Sequence, residues 1–262
     1  MRRFDAEYLT HTRRGMWADS REALSALDLS TRERVLDVGS GTGALTRVLR
    51  EETPGDVVGV DADPQLLDHV EGPAVVGDAF RLPFPDDTFD LVVCQALLIN
   101  LPEPVDAVRE FARVSRDGVA VIEPDNGSVT VESTVDGESA LAGEAREHYL
   151  AGVDTDVTLG SDAESILTEA GLASVEITRY DHARTISPPY DEADVESARR
   201  KASGSGIATD RETLLDGGLS TEAYDRLRQR WRQMGRDVIE QMADRTYERT
   251  ETVPFYVAVG QI

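Results

Sequence analysis

The chain has 262 residues, room for one elaborated α/β domain or two small domains, and no run approaches the roughly 20 apolar residues of a membrane-spanning helix. Its opening, Met1-Arg2-Arg3-Phe4-Asp5-Ala6-Glu7, carries no apolar signal region, and a single cysteine, Cys94, excludes an internal disulfide, so a cytoplasmic location is expected. The net charge is −23, and only Lys201 among the 27 basic residues is a lysine; with no basic stripe to neutralise phosphates, duplex nucleic acid is not expected as a substrate.

Residues 4–30 read as helical, with Tyr8, Leu9 and Trp17 ahead of Asp19-Ser20, an N-cap pair for a helix over 21–27. Next comes Arg34-Val35-Leu36-Asp37-Val38, whose apolar run predicts a central parallel strand. Gly39-Ser40-Gly41-Thr42-Gly43 breaks it. Glycines there let the backbone turn sharply and let a ligand approach with no Cβ in the way. The helix predicted over 44–52 then points free amides and its positive end at that ligand. Gly39-x-Gly41-x-x-Ala44 also fits a dinucleotide fingerprint. Asp37 argues against that reading, because a carboxylate at the strand's end repels a pyrophosphate and suits an ammonium or sulfonium group.

A second strand, Val57-Val58-Gly59-Val60, ends in Asp61-Ala62-Asp63-Pro64. Asp61 stands about 20 residues on, where Rossmann-type units place a ribose-binding acid, and its two oxygens can accept from both hydroxyls. Asp63 is the better helix cap, for a helix over 65–70 with proline in its first turn. Strand three, 74–77, leads into Asp78-Ala79 and then Leu82-Pro83-Phe84. Strand four, 91–94, is wholly apolar and expected to be buried on both faces, with Cys94 a small core residue. A helix over 104–114 carries Val105, Val108, Phe111 and Ala112 on one face. Strand five, 119–122, ends in Glu123-Pro124-Asp125-Asn126, at the edge where open α/β sheets bind ligands. Glu123 and Asp125 are therefore candidates for substrate contact or general base, or simply for a polar turn.

Residues 127–160 are polar, with one helical piece over 141–150; a helix over 161–170 is closed by Gly171, and strand six runs over 174–186. Ser187-Pro188-Pro189-Tyr190 reads as the end of an edge strand. Residues 191–249 form a charged helical insertion. Its long helix starts at Ser220-Thr221 and carries an apolar stripe: Tyr224, Leu227, Trp231, Met234, Val238 and Met242. The stripe is expected to pack on the main domain; a substrate pocket or a dimer seam are the other readings. Pro254 to Gly260 is the last strand. His11, His69, His148 and His182 are scattered without metal-ligand spacing, and no metal is expected.

Three motifs, each following a strand, occur in order: Val35-Leu36-Asp37-Val38-Gly39-Ser40-Gly41-Thr42-Gly43, then Asp61, then Gly77-Asp78-Ala79 followed by Leu82-Pro83-Phe84. Together they resemble the class I S-adenosylmethionine-dependent methyltransferases of the small-molecule, UbiE-like type. The resemblance implies a three-layer α-β-α Rossmann-like fold, a seven-stranded, mostly parallel sheet with an antiparallel last strand, and helical cap insertions. It divides the chain into an N-terminal helical cap (1–30), a cofactor-binding core (31–186, with the polar insertion 127–160), a helical insertion or lid (187–250) and a final core strand (251–262).

The implied cofactor is S-adenosyl-L-methionine, held by Asp37, Gly39, Ser40, Gly41, Gly43, Asp61, Ala62, Asp78, Ala79 and Gln95. Asp78 would accept from the adenine amine and the Ala79 amide would donate to a ring nitrogen. Arg13 would reach the methionine carboxylate, unless it is a solvated surface arginine. The segment from Gln95 to Pro102 would lie beside the transferred methyl, with Asn100 near the place where relatives often carry a histidine. The implied reaction is in-line methyl transfer to an oxygen, nitrogen or carbon of a small-molecule acceptor. Amino-methyltransferases use a Pro-Pro-Tyr string directly after strand four; here it follows strand six and does not signal an amide-nitrogen site. Rival readings are an NAD-dependent oxidoreductase, a non-catalytic S-adenosylmethionine-binding module and an aminopropyltransferase. The acidic, lysine-poor composition resembles that of salt-in halophilic archaea, whose surfaces stay hydrated while salt screens self-repulsion. A monomer or homodimer is expected, with neither nucleic acid nor membrane as partner.

Overall fold

The computed structural model describes residues 16–262. In chain order the regular elements begin with a one-turn helix α1 (Met16–Asp19) and 3-10 turns at Arg21–Leu27 and Leu29–Thr31. They continue with β1 (Arg34–Val38), α2 (Ala44–Glu52), β2 (Asp56–Asp61), α3 (Pro64–Leu67), β3 (Ala74–Val76) and β4 (Phe89–Gln95). A 3-10 turn at Leu98–Asn100 precedes α4 (Pro104–Val114), β5 (Ser115–Pro124), β6 (Thr130–Ser133), α5 (Glu138–Gly152), α6 (Ala163–Glu169) and β7 (Ala173–Ile186). The remainder is α7 (Glu192–Ser203), α8 (Ser205–Thr209), α9 (Arg211–Asp216), α10 (Thr221–Ala243) and β8 (Arg249–Gln261).

These elements form two compact units. The first takes the described residues up to Asp125, with Leu159–His182 and Pro254–Ile262. Its sheet runs β3-β2-β1-β4-β5-β8, with β7 also paired to β8. The β1–β2, β2–β3, β1–β4 and β4–β5 pairs are parallel, and β8 joins β5 antiparallel. This is the Rossmann-like, mostly parallel arrangement expected, but the sheet has eight strands and not seven, because β6 also pairs with β8.

Alternation along the strands feeds two cores. Leu36, Val38, Val92, Cys94, Val119 and Val121 pack with Phe111 and Val108 of α4 on one face. Val35, Leu91, Val93, Ala120 and Ile122 pack with Leu24, Leu27, Leu45 and Leu49 on the other. A strand buried on both faces loses its polar alternation, which explains the apolar run of β4 and that of β1, broken only by Asp37.

The second unit, Asn126–Thr158 with Ala183–Val253, has its own core. The α10 stripe is buried there at Tyr224, Leu227, Met234, Val238 and Met242, together with Val135, Leu141, Ile186, Ala198 and Leu214. The stripe thus closes on a core of its own, where the sequence suggested packing on the main domain. Gly235 makes this possible: a Cβ there would stand 2.2 Å from the Ala202 amide nitrogen, so glycine lets α10 touch the α7 backbone.

Inside this unit the chain's one lysine pairs with a buried acid. Lys201 Nζ lies 2.5 Å from Glu138 Oε1. The Tyr247 hydroxyl and the Ser133 hydroxyl both donate to Glu138 Oε2, at 3.1 and 2.6 Å. Arg249 Nε is 3.3 Å from Glu138 Oε1, and its other arm pairs with Glu251 at 2.6 Å.

Several boundaries differ from the sequence expectation. Residues 21–27 form a 3-10 turn, and Ser20 makes no side-chain cap bond. Helix α3 stops at Leu67, although Asp63 does cap it by accepting from the Gln65 amide at 2.9 Å. Strand β6 was not foreseen: Thr-Val-Glu-Ser is short and polar, and it pairs with Arg249–Thr252 of β8. Strand β8 consequently begins five residues before Pro254. The proline, which has no amide to donate, sits where the strand's pairing passes from β6 to β5.

Candidate active site

The glycine-rich turn stands at the carboxyl end of β1. Gly39, Gly41 and Gly43 have φ of 72°, 54° and 80°, a region L side chains rarely adopt. The amides of Gly39 and Ser40 both donate to the Val60 carbonyl, at 2.7 and 2.9 Å, which ties the turn to the end of β2. Gly39 has a second constraint: a Cβ there would meet Leu97 Cδ1 at 2.9 Å. Leu97 comes from the segment after β4, so that segment packs directly on the first glycine.

Asp37 lies just before the turn and is 1% exposed. Thr46 Oγ1 donates to its Oδ2 at 2.5 Å, joining β1 to the first turn of α2. Asp61, half-buried, ends β2. Its Oδ2 accepts from the Gly41 amide and its Oδ1 from the Asp63 amide, both at 2.9 Å. Each carboxylate oxygen has about two acceptor sites, so one per oxygen stays open to a hydroxyl. Ala62 beside it is exposed.

Asp78 is exposed after β3, with its Oδ1 accepting from the Phe80 amide at 3.0 Å, and Ala79 is buried. The loop that follows is pinned from α4. Glu110 accepts from the Leu82 amide at 2.7 Å, and Arg113 donates to the Phe84 carbonyl at 3.0 Å. The Arg113 guanidinium holds the Glu110 carboxyl below its ordinary value.

At the carboxyl end of β4, Gln95 is engaged by α1. Its Oε1 accepts from Trp17 Nε1 at 3.3 Å, and its Nε2 lies 3.0 Å from Met16 Sδ. Ala96 follows with φ of 48°, unusual for a residue with a Cβ, and its carbonyl accepts from Asn100 Nδ2 at 2.8 Å. Glu123, at the end of β5, is fully buried. Its Oε1 accepts from the amides of Leu97 and Leu98, at 3.1 and 2.9 Å, and its Oε2 from that of Ile99 at 3.4 Å. Cys94 Sγ is 3.8 Å from the same carboxylate, and burial followed by the Glu123 charge pushes the thiol well up. Asp125 is half-buried; its amide donates to the Pro254 carbonyl at 2.9 Å.

The structure therefore gathers Asp37, Gly39, Ser40, Gly41, Gly43 and Asp61 at the ends of β1 and β2, Asp78 and Ala79 at β3, Gln95 at β4, and Glu123 and Asp125 at β5. Arg13 lies outside the described residues. No group of three or more His, Cys, Asp or Glu side chains suited to a metal ion occurs among the described residues. Sequence reasoning missed Thr46, the packing of Leu97 on Gly39 and the Glu110–Arg113 pair. Only Thr46 carried a signal, a hydroxyl in the first turn of the helix that follows the glycines.

Residues 36–122 match the sequence model of a family described as the methyltransferase domain. A demethylmenaquinone methyltransferase of Deinococcus radiodurans is 39% identical over 106 residues, 37% of this chain and 44% of that protein. A malonyl-[acyl-carrier protein] O-methyltransferase of Halorhodospira halophila is 34% identical over 127 residues, 45% of this chain and 43% of its own length. The chain thus spans under half the length of these curated relatives. Among solved structures, the YcgJ protein of Bacillus subtilis superposes with a TM-score of 0.53 at 18% identity, over 92% of this chain and 98% of its own. Phosphoethanolamine N-methyltransferase 2 of Haemonchus contortus, solved with S-adenosyl-L-methionine, gives 0.50 at 20% identity, over 93% of this chain and 52% of its own. These likenesses define the fold as the Rossmann-like one those proteins share.

Proposed function

We propose that this chain is an S-adenosylmethionine-dependent methyltransferase acting on a small molecule. The observation that carries the reading is the trio of acceptors and turns at three neighbouring strand ends. The glycine-rich turn follows β1, Asp61 stands beside it on β2 and bonds to Gly41, and the exposed Asp78 follows β3.

These residues fit such a cofactor. Asp61 keeps acceptor capacity for a ribose diol, Asp78 presents a carboxylate to an exocyclic amine, and the turn offers backbone with no Cβ in the way. When bound, the cofactor supplies an electrophilic methyl on a positively charged sulfur. The chain's own contribution is positional. Asp61 and Asp78 fix the nucleoside end, the turn and its helix fix the amino-acid end, and the Ala96–Asn100 segment borders the reacting group. Holding reactants in attack geometry is worth about 7–11 kcal/mol in favourable systems.

The demethylmenaquinone and malonyl-carrier relatives methylate small or carrier-borne acceptors by their names, and this supports a small-molecule acceptor here. No described helix is long and apolar enough to cross a membrane. The acidic, lysine-poor composition supports a high-salt setting of halophilic type.

The test is ligand-dependent stabilisation followed by turnover. S-adenosylhomocysteine at 100 times its Kd should add about 2.7 kcal/mol of stability. Labelled methyl should then pass from S-adenosylmethionine to a metabolite-extract component at high salt. Stabilisation by NADH instead would make the chain an oxidoreductase. Tight binding with no transfer to any extract component would make it a binding module.

A further inference from the structure

We propose that Glu123 is a positioning residue of this site: its carboxylate sets the conformation of the segment after β4 and, through it, the surface over the glycine-rich turn. The inference rests on the methyltransferase reading for its ligand.

A carboxyl group at the end of β5 invites the role of general base. Its contacts point elsewhere. Glu123 is fully buried. Three consecutive amides, those of Leu97, Leu98 and Ile99, converge on it at 3.1, 2.9 and 3.4 Å. These are the donors that open the 3-10 turn Leu98–Asn100, and donors at the start of a turn have no partner within it. The buried carboxyl group of Glu123 supplies that partner from the neighbouring strand, β5, whose Ile122 carbonyl also takes the Ala96 amide at 2.8 Å.

The result is a segment locked at both ends. Ala96 is held in the left-handed region at φ 48°, and Asn100 folds back to the Ala96 carbonyl at 2.8 Å. Leu97, whose amide is one of the three, packs its side chain so closely on Gly39 that a Cβ there would stand 2.9 Å away. The chain of contacts runs from Glu123 to the Leu97 amide, from Leu97 to Gly39, and so to the amino-acid end of the ligand. Asp61 and Asp78 lie on the far side of β1 in the sheet order, and Asp61 meets the turn at Gly41 and not at Leu97.

The prediction separates the two ends of the ligand. Glu123→Ala should weaken S-adenosylhomocysteine binding at least about tenfold in calorimetry while weakening adenosine binding several-fold less, because displacement of a positioning segment acts most on the groups it borders. Glu123→Gln, whose amide oxygen can still accept from Leu97 and Leu98, should recover most of the loss. Hydrogen exchange at Leu97, Leu98 and Ile99 should accelerate in Glu123→Ala and return towards normal in Glu123→Gln. Equal loss of adenosine and S-adenosylhomocysteine binding would overturn the proposal in favour of general support of the fold. Unchanged S-adenosylhomocysteine affinity with turnover abolished in both variants would make Glu123 a base. Unchanged exchange in Glu123→Ala would reject the positioning role whatever the ligand. Failure of the unsubstituted chain to bind S-adenosylhomocysteine would instead reject the methyltransferase reading.

Discussion

Asp61 and Gly39 carry the sharpest expectations at the level of single side chains. Asp61 serves two amides and, in the proposed function, a ribose as well. Asp61→Asn keeps an acceptor but loses the charge. It should lower S-adenosylhomocysteine affinity by about 1.5–3 kcal/mol, the worth of a hydrogen bond to a charged group, and change folding stability by less. Isothermal titration and urea unfolding on the same variant measure both quantities, and an equal loss in the two would reduce Asp61 to a clamp on Gly41. Gly39→Ala is the converse case. With φ at 72° and Leu97 in the way, the added methyl should cost about 1–3 kcal/mol of stability in urea unfolding, whatever the ligand does. The sequence made the glycines and Asp61 legible because local chain geometry demands them. It did not disclose that three amides converge on Glu123 or that Gln95 is held by Met16 and Trp17. Both depend on partners 24 to 79 positions away, which no local pattern encodes.

Strands and helices are legible wherever hydrophobic periodicity decides. Residues 91–94 of strand β4 are all apolar because both its faces are covered, and the α10 stripe recurs at helical spacing. The same periodicity is silent on what covers a face, so the separate core of the second unit was not foreseen. Strand β6 was missed for a related reason: its backbone pairing with β8 needs no apolar side chain.

In the second unit α5, α7 and β8 meet at Glu138, Lys201 and Arg249. Burial pushes the Glu138 carboxyl up, but Lys201, Ser133 and Arg249 outweigh it and hold it below the ordinary range. Burial likewise opposes, and Arg249 and Arg184 outweigh, at Glu251. Both acids are depressed in the folded state, so their stabilisation is present above about pH 4.3, the unfolded value, and is lost as pH falls through the folded values. Urea unfolding of the second unit should therefore weaken on acidification, and less so in Glu138→Gln. Near neutral pH, Glu138→Gln alone should cost about 3–5 kcal/mol, since Lys201 is left buried without its anion, whereas Glu138→Gln with Lys201→Met should cost much less. Equal losses in the single and double variants would show that the pair is not coupled.

For the molecule as a whole, net charge acts where no single residue does. A net −23 on 262 residues opposes compaction through self-repulsion, and salt screens it over about 10 Å at 0.1 M and 3 Å at 1 M. The melting temperature should therefore rise between 0.1 and about 2 M potassium chloride, beyond what the screening of single surface ion pairs takes away. Scanning calorimetry across that range checks this, and a flat or falling trend would remove the case for a high-salt setting.

The two reactive handles of the chain, one thiol and one side-chain amine, are both shut away. Cys94 lies inside the sheet with its ionisation suppressed, and Lys201 is engaged by Glu138. Maleimide dyes therefore have almost nothing to react with on the native protein. A cysteine introduced at the exposed Val76, two residues before Asp78, would then carry a fluorophore at one site without removal of any native residue but that valine. Its emission would give an optical readout, independent of turnover, of whether a nucleoside binds at the end of β3 as proposed.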